Sequence, residues 1–293
     1  LTEENSRYFT QNIYDVVIVD EAHEHNANMD LILTLMRSTL FINNQIRLII
    51  ISATMDNDEL IYRRYYRDIN PNLLYPLCHM LKEYNLDRVN VEKREHISPL
   101  GETTQHRIND YYLDYEPRDY EEAQEYGYKK IVEITSQTTE GDILFFTISK
   151  KSIKDICNYL NEIIPENVIC LPYHGKMDAK WKGIIGNIDQ EIKNIDVSKK
   201  DIVDVVNGTI VEYESIGYNN YNRAIIVATN AAEASITISS LRYVIDTGYS
   251  IVVSYLPDVE TNKIEIKKIT ESSRIQRRGR VGRVASGDVY YMY

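Results

Sequence analysis

The run Val16-Val17-Ile18-Val19-Asp20-Glu21-Ala22-His23 places two adjacent carboxylates directly after four β-branched residues. Such a run reads as a buried parallel strand, and the C-terminal end of such a strand is the edge where α/β sheets bind ligands. A carboxylate there can hold Mg²⁺, usually through water, while its neighbour orients and deprotonates an attacking water, the two tasks that nucleotide hydrolysis requires. Asp20 suits the metal and Glu21 suits the base. An isolated Asp-Glu pair would more often cap the next helix, but the four residues Asp20 to His23 in this order weaken that reading. His23-Glu24-His25 is not a zinc-protease site, because that pattern needs His at its fifth position and Ala27 stands there.

Ser52-Ala53-Thr54 follows a second apolar run, Leu48 to Ile51, so two hydroxyls are expected at the same sheet edge as the carboxylates. Alone, such a turn usually only caps a helix. Further on, Ser273-Arg274-Ile275-Gln276 fits a capping box and is followed by Arg277, Arg278, Gly279, Arg280, Val281, Gly282 and Arg283. At 3.6 residues per turn Gln276, Arg280 and Arg283 share one face, with Arg277 and Arg278 elsewhere. Guanidiniums are planar, always-charged donors that can neutralise a transferring phosphoryl group, although the same run could form a basic RNA patch. In Ala228-Thr229-Asn230-Ala231-Ala232-Glu233-Ala234-Ser235-Ile236-Thr237-Ile238, small and hydroxyl residues at a strand end would let backbone amides approach a phosphate, with Thr229 capping a short helix. Phe146-Thr147 and Tyr173-His174-Gly175 close two other strands at the same edge.

These residues need two α/β frameworks to position them, and 293 residues with 43% hydrophobic content suffice for two cores. In the first, Tyr14 to Val19 and Leu48 to Ile51 read as strands, and Met29 to Leu40 as a helix with Leu31, Ile32, Leu35 and Met36 inward. An acidic, Tyr-rich stretch from about Tyr111 to Lys130 suggests a junction, drawn at 118/119. In the second, Ile143–Phe146, Val168–Leu171 and Ala224–Ala228 read as strands, and Ile153, Ile156, Cys157 and Leu160 as the inner face of a helix. The polar stretch 177–223 reads as an insertion or long loop with its own helix, and Val252–Tyr255 with Lys263–Ile266 as a hairpin.

A net charge of −11 argues against a broad basic face, so any nucleic acid must be held locally. Cys78, Cys157 and Cys170 form no paired spacing, which points to free thiols in a reducing compartment. No apolar run approaches membrane-spanning length, and no signal-peptide pattern opens the chain.

Taken in order, the segments resemble superfamily 2 helicases: motif II at Asp20–His23, III at Ser52–Thr54, IV around Leu144–Thr147, V at Ala228–Ile238 and VI at Gln276–Arg283. The Asp-Glu-Ala-His box, the arginine run and Val244-Ile245-Asp246-Thr247-Gly248 look like the DEAH branch, and the tail Arg280 to Tyr291 is similar to the poxviral nucleoside triphosphate phosphohydrolase II type. The resemblance implies two RecA-like parallel-sheet domains, at 1–118 and 119–293, with ATP and Mg²⁺ between them and single-stranded RNA across their top. Asp20 would coordinate Mg²⁺ and Glu21 activate water, while His23, Ser52 and Thr54 couple the domains. Gln276, Arg280 and Arg283 would reach the γ-phosphate, Thr147, Thr229 and Asn230 the RNA backbone, and the hairpin the strand fork.

The implied activity is ATP-driven movement along RNA with unwinding, 3′ to 5′, in an intracellular, cytoplasmic or virion-associated protein. The motifs alone also admit DNA as the track, a translocase that does not separate strands, or an RNA-binding remnant without turnover. Oligomeric state is not legible. No G-x-x-x-x-G-K-[ST] occurs in the sequence, so the expectation is a first domain cut at its N-terminal side and a chain that alone binds ATP poorly.

Overall fold

The computed structural model describes residues 13–22, 27–42, 46–52, 59–66, 106–210, 212–217, 220–256 and 261–293. The chain divides into two units, Leu1–Ile97 and Ser98–Tyr293. The division precedes the junction drawn at 118/119, because Ile108–Tyr112 is a strand of the second unit's sheet.

In the first unit β1 (Val16–Val19) pairs in parallel with β2 (Arg47–Ile50), connected through α1 (Ala27–Ile42), the arrangement of a β-α-β crossover. The helix buries Met29, Leu33 and Met36, a single stripe at i, i+4 and i+7. Leu31, Ile32 and Leu35, expected inward, are exposed. Both stripes of α1 are apolar, so periodicity alone could not choose between them. Tyr62 and Tyr66 of α2 (Glu59–Tyr66) pack on this core, and their hydroxyls donate to the carbonyls of Ala22 (3.3 Å) and Leu33 (2.9 Å).

The second unit is built on a six-stranded, all-parallel sheet. Its strands are β3 (Ile108–Tyr112), β4 (Asp142–Phe146), β5 (Val168–Tyr173), β6 (Arg223–Ala228), β7 (Leu241–Asp246) and β10 (Gly287–Tyr291), in the order β3-β10-β7-β4-β6-β5. The three neighbours β4, β6 and β5 are buried at every position, as their continuous apolar runs require. Asp119 caps α3 (Tyr120–Gln137) by accepting from the Glu122 N–H, and Ser149 caps α4 (Lys150–Ile163) by accepting from the Ser152 N–H. The α4 face is the expected one, Ile153, Ile156, Cys157 and Leu160.

The stretch 177–223 is more ordered than a loop. It forms α5 (Ala179–Gly186), α6 (Ile188–Glu191), a 3₁₀ turn at Ile192–Asn194 and α7 (Ile202–Val206). Trp181, Ile185, Ile188, Ile202, Val203 and Val206 join the main core. Helices of four to eight residues are too short to show a periodic stripe through their Lys and Asp neighbours. The hairpin is also longer than expected: β8 (Tyr249–Leu256) runs antiparallel to β9 (Thr261–Lys268), with Tyr249 opposite Lys268 at its base.

Two short helices complete the unit, α8 (Ala232–Ser235) and α9 (Glu271–Arg278). They meet around Arg277, which is 0% exposed. Its Nε donates to Glu233 Oε1 (2.7 Å), its Nη1 to Asp246 Oδ1 (2.6 Å) and its Nη2 to the Tyr249 carbonyl (3.4 Å). The guanidinium carbon lies 4.7 Å from the centre of the Phe146 ring. Glu233 also accepts from the Ser273 hydroxyl, and Asp246 from the Gly248 N–H and the Tyr293 hydroxyl. Burial holds the Glu233 carboxyl above its ordinary range, against the pull of Arg277.

Gly127 of α3 sits where a Cβ would stand 2.7 Å from the Phe145 ring. Gly127→Ala should therefore lower stability by about 1 kcal/mol, since overpacking costs about 1–3 kcal/mol and helix propensity returns only about 1 kcal/mol. A higher urea midpoint for the alanine variant would contradict this close approach. Arg277→Met, which keeps the bulk and strands two buried carboxylates, should cost about 3–5 kcal/mol in the same measurement. A loss below about 1 kcal/mol would show that the carboxylates relax to solvent instead.

Candidate functional site

In the first unit the chain leaves β1 through Asp20, which is exposed, and Glu21, which is half-buried. The Glu21 N–H donates to Asp20 Oδ1 (2.9 Å), and the Ala22 N–H donates to the Ile51 carbonyl (3.0 Å). Ser52 therefore leaves β2 beside the Asp20–Ala22 turn, as the parallel register demands. Glu21 has φ 54°, and among the described residues no other non-glycine residue has a positive φ. A left-handed backbone costs a side-chain-bearing residue about 1–2 kcal/mol, and such outliers concentrate at functional sites. This left-handed residue lies in the turn that follows β1, at the C-terminal end of the strand, where parallel sheets commonly bind ligands. His23 and Thr54 lie outside the described residues.

Asp20 supplies the donor set that Mg²⁺ takes when water and phosphate oxygens provide its other ligands: one exposed carboxylate at a strand end. Among the described residues no cluster of three or more His, Cys, Asp or Glu side chains could hold a metal unaided.

In the second unit the expected residues gather at the C-terminal edge of the sheet, but four assignments change. Thr147 is 1% exposed, and its hydroxyl lies 2.5 Å from that of Tyr120, so its side chain does not reach a surface where RNA could touch it. Thr229 is half-buried and Asn230 exposed, but their carbonyls, not the Thr229 hydroxyl, receive the first N–H groups of α8, from Ala232 (3.0 Å) and Glu233 (2.9 Å). The capping residue of α9 is Thr270, whose side chain accepts from the Ser273 N–H, not Ser273.

Because α9 ends at Arg278, Arg280 and Arg283 stand beyond the helix, in the turn that follows it, and share no helical face with Gln276. They are brought together differently. Arg280 Nε donates to the Gln276 carbonyl (3.3 Å) and Arg283 Nε to the Gly279 carbonyl (3.0 Å). Arg280 Nη1 then reaches the Ile236 carbonyl (2.9 Å) and Arg283 Nη1 the Thr237 hydroxyl (2.7 Å). Two half-buried guanidiniums are thereby tied to one segment, 236–237, with Gln276 close in sequence.

Two residues that hold this edge together carried a legible signal. Asp246 follows a continuous apolar strand, and Glu233 lies among alanines. A carboxylate in such surroundings must find a cation, which is Arg277 for both. Asp110, which takes both Nε and Nη2 of Arg278, carried no such signal.

The family model described as "Helicase conserved C-terminal domain" matches residues 213–285. A protein of Acanthamoeba polyphaga mimivirus named as an ATP-dependent RNA helicase is 47% identical over 98% of this chain, which spans 16% of that protein. The ATP-dependent RNA helicase HrpA of Escherichia coli is 25% identical over 96% of the chain, which spans 17% of it. The crystal structure of the Escherichia coli DEAH/RHA helicase HrpB superimposes with a TM-score of 0.61 at 21% identity, covering 98% of this chain and 29% of that one, and so shares its fold. The chain thus spans about a sixth of the curated relatives quoted. With its motifs in order and this likeness running along almost its whole length, the chain is similar to the DEAH-type superfamily 2 helicases.

Proposed function

We propose that this protein hydrolyses ATP and uses the cycle to move along and unwind RNA in the 3′ to 5′ direction. The observation that carries the reading is the turn after β1, where Asp20 and a strained Glu21 leave a parallel sheet at its ligand-binding edge. Asp20 would hold Mg²⁺, which when bound neutralises charge on the nucleotide's phosphates. The Glu21 carboxylate orients the attacking water and takes its proton. Arg280 and Arg283 donate to γ-phosphate oxygens, and Gln276 fixes the water or one of those oxygens through its amide. His23, Ser52 and Thr54 couple this chemistry to movement.

Asn230 and Thr229 are the side chains we assign to the RNA backbone, supported by their place at the open end of β6. RNA as the track is supported by the names of the relatives. The projecting hairpin β8–β9 is the element we assign to the strand fork. A reducing intracellular compartment is supported by Cys157 and Cys170, buried free thiols whose sulfurs stand 3.2 Å apart.

In the full-length protein Glu21→Gln should abolish ATP turnover while nucleotide affinity stays close to that of the parent. Hydrolysis near the parent rate in a steady-state assay would remove Glu21 as the base. Arg280→Lys and Arg283→Lys keep the charge and lose the planar fork. Turnover should fall by roughly 10³–10⁵, with RNA affinity and its salt slope unchanged. Weakened RNA binding with a flatter salt dependence, at intact ATPase, would reassign both arginines to the nucleic acid.

A further inference from the structure

The turn that carries Arg280 and Arg283 is held from two sides. On one side is segment 236–237, described above. On the other is the first strand of the second unit, β3, with the residues leading into it. The His106 N–H donates to the Gly282 carbonyl (3.2 Å), and the Gly287 N–H donates to the Arg107 carbonyl (3.1 Å). Gly282 has φ 77°, and a Cβ there would stand 2.6 Å from Ile108 Cγ1, so strand and turn are in direct contact. Asp110 adds an ionic tie. Arg278 Nε lies 2.9 Å from its Oδ1 and 3.1 Å from its Oδ2, and Arg278 Nη2 lies 2.9 Å from Oδ2.

The tie is built and not incidental. The Tyr291 hydroxyl donates to Asp110 Oδ1 (3.0 Å), and Arg274 Nη1 reaches the hydroxyls of Tyr112 and Tyr291 (both 3.2 Å). The Tyr112 and Tyr291 rings stack at 4.5 Å. Burial opposes ionisation of Asp110, but Arg278 and the Tyr291 hydroxyl outweigh it and hold the carboxyl below its ordinary range. The side chains of Arg278 and Asp110 are 33% and 27% exposed, so the pair belongs to a class worth little to overall stability. Its effect is local, because Arg278 is the last residue of α9 and the arginine turn begins at Gly279.

We infer that Asp110 and Arg278 are a positioning pair: they clamp the end of α9 to the incoming strand β3, so that the placement of Arg280 and Arg283 follows the placement of β3. The chain arrives at β3 from the first unit, which ends at Ile97. Within the second unit, Asp110 and the His106–Gly282 bond tie β3 to the turn that carries Arg280 and Arg283. The functional half of this inference rests on the assignment of Arg280 and Arg283 to the γ-phosphate.

The test is a double-mutant cycle of Asp110→Asn and Arg278→Gln in the full-length protein, read by amide hydrogen exchange and by steady-state ATPase at saturating RNA. Each single change should speed exchange across 279–283 by about tenfold without changing the melting temperature, and the double should be no worse than either single. The kcat for ATP should fall about three- to fivefold in all three variants with KM unchanged. Exchange at the parent rate in both singles, or losses that add in the double, would overturn the clamp whatever the turnover. Faster, non-additive exchange with parental kcat would leave the clamp standing and overturn the role given to the arginines.

Discussion

One buried arginine organises the second unit. Arg277 comes from α9, its two carboxylate partners from α8 and the end of β7, its backbone acceptor from the start of the hairpin and its ring contact from the end of β4. A guanidinium taken wholly out of water is tolerable only when its donors are met and its charge is balanced, so these five segments must arrive together or not at all. The segments next to these five at the C-terminal edge of the sheet inherit part of their position from that requirement. The segment 236–237 follows α8, and the arginine turn begins two residues after Arg277.

The arginine run therefore divides its labour in space. Arg277 points inward and is structural, Arg278 turns sideways to β3, and Arg280 and Arg283 reach back to 236–237. This division explains how a chain of net charge −11 can carry four arginines in seven residues without forming a basic face. Each is largely committed to an acceptor of its own unit. The first unit shows the complementary device, with charge gathered by backbone strain at Glu21.

How far the sequence foretold this depended on how local the cause was. β4, β5 and β6 were legible because a strand buried on both faces needs a largely apolar run, whereas β1 and β2, read as buried from the same signal, are strands with Val16, Ile18 and Ile49 exposed. The inner face of α4 was legible because its other side is polar, whereas α1, apolar on two sides, hid its true stripe of Met29, Leu33 and Met36. The end of α9 was misread because periodicity carries a helix through Gly279, while the chain turns there and meets Ile108 and His106, far away in sequence. Thr147 was misread for a similar reason. Its neighbour Tyr120 comes from another helix, and no local pattern shows that a hydroxyl at a strand end is already taken. The place of Asp20 and Glu21 at the end of β1 was legible from the apolar run before them, but the left-handed backbone at Glu21 was not.

The hairpin, whose two strands have eight residues each, is fastened at its base. The Ile269 N–H donates to the Gly248 carbonyl (2.9 Å), Arg277 holds the Tyr249 carbonyl, and Lys268 pairs with Glu116. Most of β9 is exposed. At about 3.4 Å per residue such a ribbon extends about 27 Å from its footing. It is a lever with a short inner arm and a long outer one. A rotation of about 10° at the Tyr249–Lys268 rung sweeps the far end through about 5 Å, while the footing moves by less than a bond length. Because that rung is bonded to the same arginine that fixes α8 and α9, a sub-ångström adjustment around Arg277 would be magnified along the ribbon toward Leu256 and Thr261.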